Sequence, residues 1–233
     1  MAVSRDRQCA DERVWVQRGG TNMGRIAVYI LLSTITGIVM MCITGRYYTR
    51  RFDKPLKAGI VWKLCMLAVP AAFGTFAGVY GYDVGLFLDG MLLASVSMAA
   101  AMIDRLERII PNVSVLAMVM IHGCIEVCML LTDRDRGIYE ICMGVAGCLL
   151  MAILLAGVRL VFKGGIGMGD VKMLLAFGWC LGALRSLYAL LAAAVAALVM
   201  SGVKIILGHM KHRESFGFGP YLAFGLALVL VTT

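Results

Sequence analysis

Four carboxylates of this chain stand inside or at the edge of long apolar stretches, where a charged group is costly and marks a candidate functional site. They are Asp89, Asp104, Glu126 and Asp170. Two carboxyl groups at one site supply a protonated and an ionised form, so that one donates a proton while the other accepts one. Such a pair can activate water for attack on a peptide carbonyl.

Asp104 and Asp170 each stand where an apolar segment meets a polar connection. Asp104 lies in MAAAMIDRLERIIPN, and Asp170 lies in GGIGMGDVKMLLAFG. Each also has a structural interpretation, Asp104 as one of several water-facing charges and Asp170 as the cap of a following helix. Several glycines precede Asp170 and remove side chains where an extended peptide would approach the backbone. They are Gly164, Gly165, Gly167 and Gly169.

The composition of the 233-residue chain is that of a membrane protein. Hydrophobic residues make up 61% of it and charged residues 15%, whereas roughly 25% of a soluble domain is charged. A water-soluble globule of this size could not bury so much apolar surface, which excludes a soluble enzyme, a disordered chain and a DNA-binding domain. The net charge of +8 does not indicate nucleic acid, because lysine and arginine collect in the cytoplasmic loops of membrane proteins.

Eight apolar segments of about 20 residues, the length that spans a bilayer as a helix, follow one another along the chain. They are 26–45, 59–80, 84–103, 113–132, 138–162, 166–183, 186–208 and 217–233. They predict an all-α, polytopic integral membrane helix bundle with a tight turn between Leu181 and Ser186. Residues 1–25 are interpreted as a polar N-terminal tail, with Met23 as a second candidate start of translation, and 26–233 as a single membrane-embedded domain.

Basic residues are distributed unevenly between the two sets of alternate connections. Thirteen Lys and Arg residues fall on one side and three on the other, outside the tail. The positive-inside rule makes the first side cytoplasmic. The chain crosses the membrane twice between Asp104 and Asp170, so both are expected at this cytoplasmic face. Two carboxylates at one depth are the arrangement that an aspartic protease requires.

The other polar residues of the apolar segments favour structural roles. His122 and Glu126 are four residues apart on one helix face, and two ligands do not make a metal site. A buried hydrogen-bonded pair, or a Glu126 that stays protonated, is expected instead. Asp89 is placed about 22 Å along the helix from Asp104, toward the opposite face. The eight cysteines contain no CxxC pair and lie mostly in apolar runs, where cysteine behaves as a small hydrophobe. No metal and no cofactor are expected.

Three motifs follow one another beside apolar segments: DRLERIIPN from Asp104, GMGDVK around Asp170, and SFGFGPYLAFG ahead of the last segment. Together they resemble the type IV prepilin peptidase family of GxGD membrane aspartic peptidases. The first is similar to the family's D-x-x-x-x-x-IPN element, the second matches its GxGD-x-K signature, and the third resembles its C-terminal FGP-x-L element. The resemblance covers about residues 84–233.

The resemblance implies a membrane aspartic endopeptidase of the bacterial plasma membrane, with Asp104 and Asp170 as its catalytic pair. It implies that the enzyme removes the short basic leader of prepilins or pseudopilins, for type IV pili or protein secretion, at the cytoplasmic face. Membrane lipids are the other expected partner. Further motif residues are expected to bind substrate or support the pair. They are Gly167, Gly169, Lys172, Pro111, Asn112, Gly219 and Pro220.

The first cytoplasmic loop, GRYYTRRFDKPLK, contains no cysteine. Long members of the family carry a cysteine-rich zinc insert there and also N-methylate the new terminus. The chain therefore resembles a short form, expected to act as a peptidase only. Lys172 has two interpretations: it tunes the aspartate pair, or it reaches the lipid headgroups from the interface.

Two other classes of function remain as alternatives. In a small transporter, Asp104 and Asp170 would relay protons along a path through the membrane. In a non-catalytic assembly subunit that only docks pilins, two like charges held together would serve no purpose. The peptidase and the transporter are discriminated by whether the two carboxylates meet at one end of the bundle.

Overall fold

The computed structural model describes residues 23–56, 59–161, 167–207 and 217–232 of the chain. This part forms seven α-helices and no strand, which confirms the predicted all-α bundle. The helices are α1 (Met23–Phe52), α2 (Ile60–Tyr80), α3 (Val84–Glu107), α4 (Asn112–Thr132), α5 (Arg134–Val161), α6 (Met168–Ile206) and α7 (Gly219–Thr232). The first six are long and apolar enough to cross a membrane. Residues 1–22 of the predicted tail lie outside the described residues.

Counted as continuous elements, the described helices number seven, against the eight segments predicted. The predicted segments 166–183 and 186–208 form one element, α6, in which only Gly182 leaves helical geometry, with φ 73° and ψ −176°. The expected tight turn is therefore confined to a single residue. Glycine adopts a positive φ without the steric penalty of a Cβ, which allows so short a break.

The length of α6 is incompatible with one straight transmembrane helix. Its 39 residues would extend about 58 Å, almost twice the ~30 Å hydrocarbon core of a bilayer. The first residue, Met168, lines the same pocket as Asp104. A straight α6 would therefore place Ala189 about 30 Å from the end of the bundle that holds Asp104.

Contacts with α7 show that the second half of α6 turns back. The Gly219 amide at the start of α7 donates a hydrogen bond to Asp104, so α7 begins at the same end of the bundle. Gly225 lies about 9 Å further along α7, and a Cβ there would collide with the Ala189 carbonyl. Ala189 is thus near the Asp104 end, and the second half of α6 runs antiparallel to the first.

α3 is the central helix of the bundle. In its most apolar window 78% of the residues are buried, against 17% to 28% in the other five long helices. Its stretch from Ala94 to Ala101, ASVSMAAA, consists mostly of small residues, which let neighbouring helices approach closely. Helices α1, α2, α4 and α7 all pack against it. Asp104, in the last turn of α3, is therefore carried by the most enclosed element of the fold.

Glycines mark the closest crossing of α1 and α2. A Cβ on Gly74 would lie 2.8 Å from the Tyr29 carbonyl oxygen and would collide with the Ser33 hydroxyl. A Cβ on Gly78 would lie 2.9 Å from the Ile26 Cα. Spaced four residues apart, these glycines let the two helices meet backbone to backbone, as small residues do in membrane helix pairs.

We expect Gly147→Ala and Gly178→Ala to destabilise the bundle where α5 crosses α6. A Cβ on Gly178 would lie 2.6 Å from the Gly147 carbonyl oxygen, and a Cβ on Gly147 would collide with the Gly178 carbonyl. Forcing a methyl group into such a contact costs about 1–3 kcal/mol. Thermal unfolding in detergent micelles should show a lower midpoint for both variants. Gly157→Ala on α5, where nothing lies within 4 Å of the added Cβ, should unfold like the unmodified protein. An equal loss there would contradict the steric explanation.

Candidate active site

Asp104 lies in the last turn of α3, and only 4% of its surface is exposed. Immediately after the helix, Arg108 adopts the left-handed conformation with φ 54°, and its N–H donates to the Asp104 carbonyl oxygen at 2.8 Å. A positive φ is uncommon for a residue with a Cβ, and here it ends the helix abruptly. The chain then reaches Pro111, which precedes the first residue of α4. The IPN element therefore turns the chain beside Asp104 and starts the next helix.

Asp170 is the third residue of α6. The cap of this helix is Gly167, which is extended (φ −62°, ψ 140°) and makes no side-chain capping bond. Asp170 is therefore not the cap, which corrects its structural interpretation. A carboxylate in the first turn is favourable nonetheless, because the helix N-terminus carries a partial positive charge.

The two glycines of GxGD that the structure describes leave room on either side of Asp170. A Cβ on Gly167 would lie 3.0 Å from the Asp170 Oδ2, and a Cβ on Gly169 would lie 3.0 Å from the Cβ of Ile110. Gly169 thus lets α6 begin directly against the connection between α3 and α4. The predictions on Gly164 and Gly165 lie outside the described residues.

Asp104 and Asp170 line one pocket of about 640 Å³ at this end of the bundle, which we call the aspartate pocket. They are close enough for their charges to interact. The walls of the pocket come from the end of α1, the connection between α3 and α4, and the start of α6. Three cationic side chains, Arg51, Arg108 and Lys172, line the same pocket.

The C-terminal FGFGP element packs directly on Asp104. The Gly219 N–H donates to the Asp104 Oδ2 at 2.8 Å. A Cβ on Gly217 would lie 2.5 Å from this oxygen, and one on Gly219 would lie 2.8 Å from it. Both positions therefore require glycine for a steric reason. Gly219 supports the aspartate as the sequence motif indicated, whereas the equally close Gly217 was not predicted.

Lys172 links the starts of α6 and α4. Its Nζ donates to the Asn112 Oδ1 at 3.0 Å, and the lysine is exposed. Asn112, the first residue of α4, follows Pro111, and all three residues line the aspartate pocket. Through this hydrogen bond Lys172 is held at the pocket. The sequence had also allowed it a role at the lipid interface alone. Pro220, by contrast, does not line this pocket.

The end of α1 forms a wall of the pocket that sequence reasoning missed. Tyr47, Arg51 and Phe52 line the pocket, and the neighbouring Tyr48 donates a hydrogen bond to Glu107 at the end of α3. The available signal was the segment RYYTRRF, in which aromatic and basic residues follow an apolar run. Nothing in that segment indicated which of the following helices it would meet.

A second polar cluster lies toward the other end of α3 and α4. The Nδ1 of His122 is 2.8 Å from the Asp89 Oδ2 in a hydrogen bond, while its Nε2 is 3.3 Å from the Glu126 Oε1. Sequence reasoning paired His122 with Glu126, and the structure places the two in contact at 3.3 Å, but the shorter contact is to Asp89, which was not predicted as a partner. The two carboxylates contact opposite nitrogens of the ring and do not converge on one point. Within the described residues, no group of three or more His, Cys, Asp or Glu residues is placed to hold a metal ion.

A comparison with family models recognises the region that carries both aspartates. The match covers residues 91–202 and is to the type IV leader peptidase family. This stretch belongs to the type IV leader peptidase family. The resemblance predicted from the motifs is thus confirmed, and the match supports a leader peptidase-like protease. Comparisons with curated proteins and with solved structures gave no match.

The leader peptidase stretch contains most of the candidate site. It includes the IPN element, the GxGD element and Lys172, while the glycines at 217 and 219 lie beyond its end. The hydrogen bond from Gly219 to Asp104 therefore joins a segment outside the matched stretch to a carboxylate within it. Six helices that are long and apolar enough to span a bilayer mark this protein as an integral membrane protein.

Proposed function

We propose that this leader peptidase-like protein is an aspartic endopeptidase, and that Asp104 and Asp170 cleave the leaders of prepilin-like substrates at the cytoplasmic face of the bacterial plasma membrane. The proposal rests chiefly on the aspartate pocket, in which two carboxylates from distant parts of the sequence meet. Bringing two like charges together is unfavourable in itself. It is useful where one acid must give a proton while the other takes one.

In the proposed reaction, a water molecule binds between the two carboxyl groups. The ionised carboxylate takes a proton from the water, whose oxygen attacks the carbonyl carbon of the scissile peptide bond, and the protonated carboxyl gives its proton to the carbonyl oxygen. In the second step the tetrahedral intermediate returns one proton to the second carboxyl, and the first carboxyl protonates the leaving nitrogen as the C–N bond breaks. The pair ends with the protons that it had at the start.

The surroundings of Asp104 support this chemistry through positioning. The Gly219 amide holds Oδ2 of the carboxylate, which leaves Oδ1 for the water molecule. On the opposite wall, Gly167 leaves the Asp170 side chain room to turn toward the pocket. Holding reacting groups in place before the substrate arrives removes part of the entropic barrier to reaction.

The proposed substrate has a basic leader, a glycine at the cleavage site and an apolar helix that lies in the bilayer. The aspartate pocket lies at one end of the bundle, where a peptide chain would leave the membrane. The basic leader would then rest near anionic lipid headgroups on the cytoplasmic side. Hydrolysis of the peptide bond in the aspartate pocket needs no cofactor in the proposed mechanism.

A small transporter is the alternative, and it is less well supported. Proton relay across a membrane needs acidic groups at successive depths, whereas Asp104 and Asp170 share one pocket at one end of the bundle. The family match also favours proteolysis.

The proposed function is tested by co-expressing the protein with a prepilin-like reporter that carries a basic leader, a glycine and an apolar helix. We expect a shortened product whose N-terminal sequence begins directly after the glycine. A reporter in which this glycine is replaced by a bulky residue is the matched control. An uncleaved reporter, in membranes that contain the protein, would contradict the proposal.

We expect the pocket end of the bundle to be closed to membrane-impermeant reagents in intact cells. In a background from which the native cysteines are removed, Asp53→Cys at the end of α1 should react with an impermeant maleimide only after permeabilisation. Arg134→Cys, at the start of α5 and at the other end of the bundle, should react in intact cells. Both residues are exposed. The reverse labelling pattern would contradict the cytoplasmic orientation, which is inferred from the positive-inside rule.

A further inference from the structure

We infer that the apolar helix of the substrate docks in a cleft between α1 and α4, beside the aspartate pocket. We call it the α1–α4 cleft, and its walls are Ile43 and Tyr47 on α1 and Val113, Ala117 and Met120 on α4. The inference rests on the proposed function and adds the surface that holds the membrane part of the substrate.

The cleft follows from how the helices pack. α1 and α4 both pack against the central helix α3, but within the described residues they do not pack against each other. Both helices nevertheless reach the aspartate pocket, α1 with Tyr47 and Arg51 and α4 with Asn112 and Val113. The pocket is therefore flanked by two helices that both pack on α3 without contacting each other in the described part of the chain.

Both walls continue from the pocket into the membrane as apolar surfaces. On α1, Ile43 lies one turn before Tyr47 and is 53% exposed. On α4, Ala117 and Met120 follow Val113 at spacings of four and seven residues, which place them on the same helix face. Met120 is 57% exposed. A helix that left the pocket along this direction would meet apolar side chains from both sides.

The chemistry of the cleft matches an apolar helix as its occupant. In lipid, helices associate mainly through van der Waals packing between complementary surfaces, and a concave seam offers more contact than a convex helix face. Ile43, Ala117 and Met120 carry no charge, whereas Arg46, Arg50 and Arg51 of α1 lie beyond Ile43, at the pocket end. A bound helix would thus be apolar along the cleft, with its cleaved end at the aspartates.

A second apolar groove, between the second half of α6 and α7, is the competing location. Its volume is about 730 Å³, and it includes Val199, Pro220 and Phe224. It shares no lining residue with the aspartate pocket. The α1–α4 cleft has direct continuity with the pocket and is therefore the preferred site.

The inference is tested by photo-cross-linking in the inactive Asp170→Asn background, so that the reporter is bound but not processed. A benzophenone amino acid is placed at Ile43 or Met120 in the cleft, at Val199 or Phe224 in the groove, or at Ile153 on the exposed surface of α5, which is 70% exposed. We expect cross-links to the apolar helix of the reporter from the two cleft positions, at least about five times stronger than those from Ile153. Equal cross-linking from Ile153, stronger cross-linking from the groove, or none from the cleft would overturn the inference.

A kinetic measurement uses the active protein. Met120→Trp fills part of the cleft, and we expect it to raise the KM for the reporter several-fold with little change in kcat, because the carboxylates stay in place. Ile153→Trp is the matched control and should leave both constants unchanged. An unchanged KM in Met120→Trp would overturn the inference while normal cleavage still supports the proposed function. A reporter that the unmodified protein never cleaves would instead overturn the proposed function itself.

Discussion

Asp104→Asn and Asp170→Asn should each abolish cleavage of a prepilin-like reporter, with a loss of at least about 10³-fold in rate. Each carboxyl group has a separate proton to move in the proposed mechanism, and such transfers contribute roughly 10²–10⁴-fold each. An amide in place of either group keeps the size of the side chain but cannot exchange that proton. The rate of leader removal, followed by gel shift and N-terminal sequencing, measures the effect.

The controls for this experiment separate chemistry from folding. Asp83→Asn changes an exposed carboxylate on the residue before α3 that makes no side-chain capping bond, so its cleavage rate should match that of the unmodified protein. All variants should be recovered from the membrane in equal amounts with equal thermal midpoints. Substantial cleavage by either Asn variant of the pair would remove that residue from the mechanism.

Gly219→Ala should lower the cleavage rate by about 10²-fold, the size of effect expected when a reacting group is displaced by about 1 Å. The added Cβ would lie 2.8 Å from the Asp104 Oδ2 and 2.9 Å from the Asp104 Cβ, so either the aspartate or the start of α7 must move. The hydrogen bond from the Gly219 amide to the carboxylate would be lost or lengthened. Gly217→Ala should act in the same direction, because its Cβ would lie 2.5 Å from the same oxygen.

Gly202→Ala on α6 is the matched control, because nothing lies within 4 Å of a Cβ at that position. It should cleave the reporter at the normal rate. The measurement is kcat and KM together, since displacement of Asp104 should lower kcat far more than it raises KM. Full activity of both Gly217→Ala and Gly219→Ala would show that the FGFGP element does not position the aspartate.

The sequence predicted the helical segments well because transmembrane hydropathy is a local property. Each span is a run of about 20 apolar residues, and no distant partner is needed to recognise it. The difference between eight predicted segments and seven continuous helices in the described residues has a local cause as well. The two predicted segments are the antiparallel halves of α6, and the tight turn expected between them is the single non-helical residue Gly182.

The aspartate pair was predictable in part. The even number of crossings between Asp104 and Asp170 puts both at one face, and the positive-inside count predicts that this face is cytoplasmic. Their meeting in one pocket is not a consequence of depth, because two helix ends at one face can stand far apart in the plane of the membrane. That meeting depends on α3 packing between α4 and α7, and on Gly169 fitting against Ile110.

The sequence by itself determined the membrane-embedded all-α class, the approximate spans and the candidate aspartates, because these follow from composition, segment length and short motifs. Only the tertiary structure decided that Gly217 and Gly219 enclose Asp104, that Tyr47 completes the pocket wall, and that His122 bonds to Asp89. These contacts join helices that are distant in the sequence. They depend on the rotation of each helix about its axis and on which helices it packs against. The packing of the whole bundle determines both.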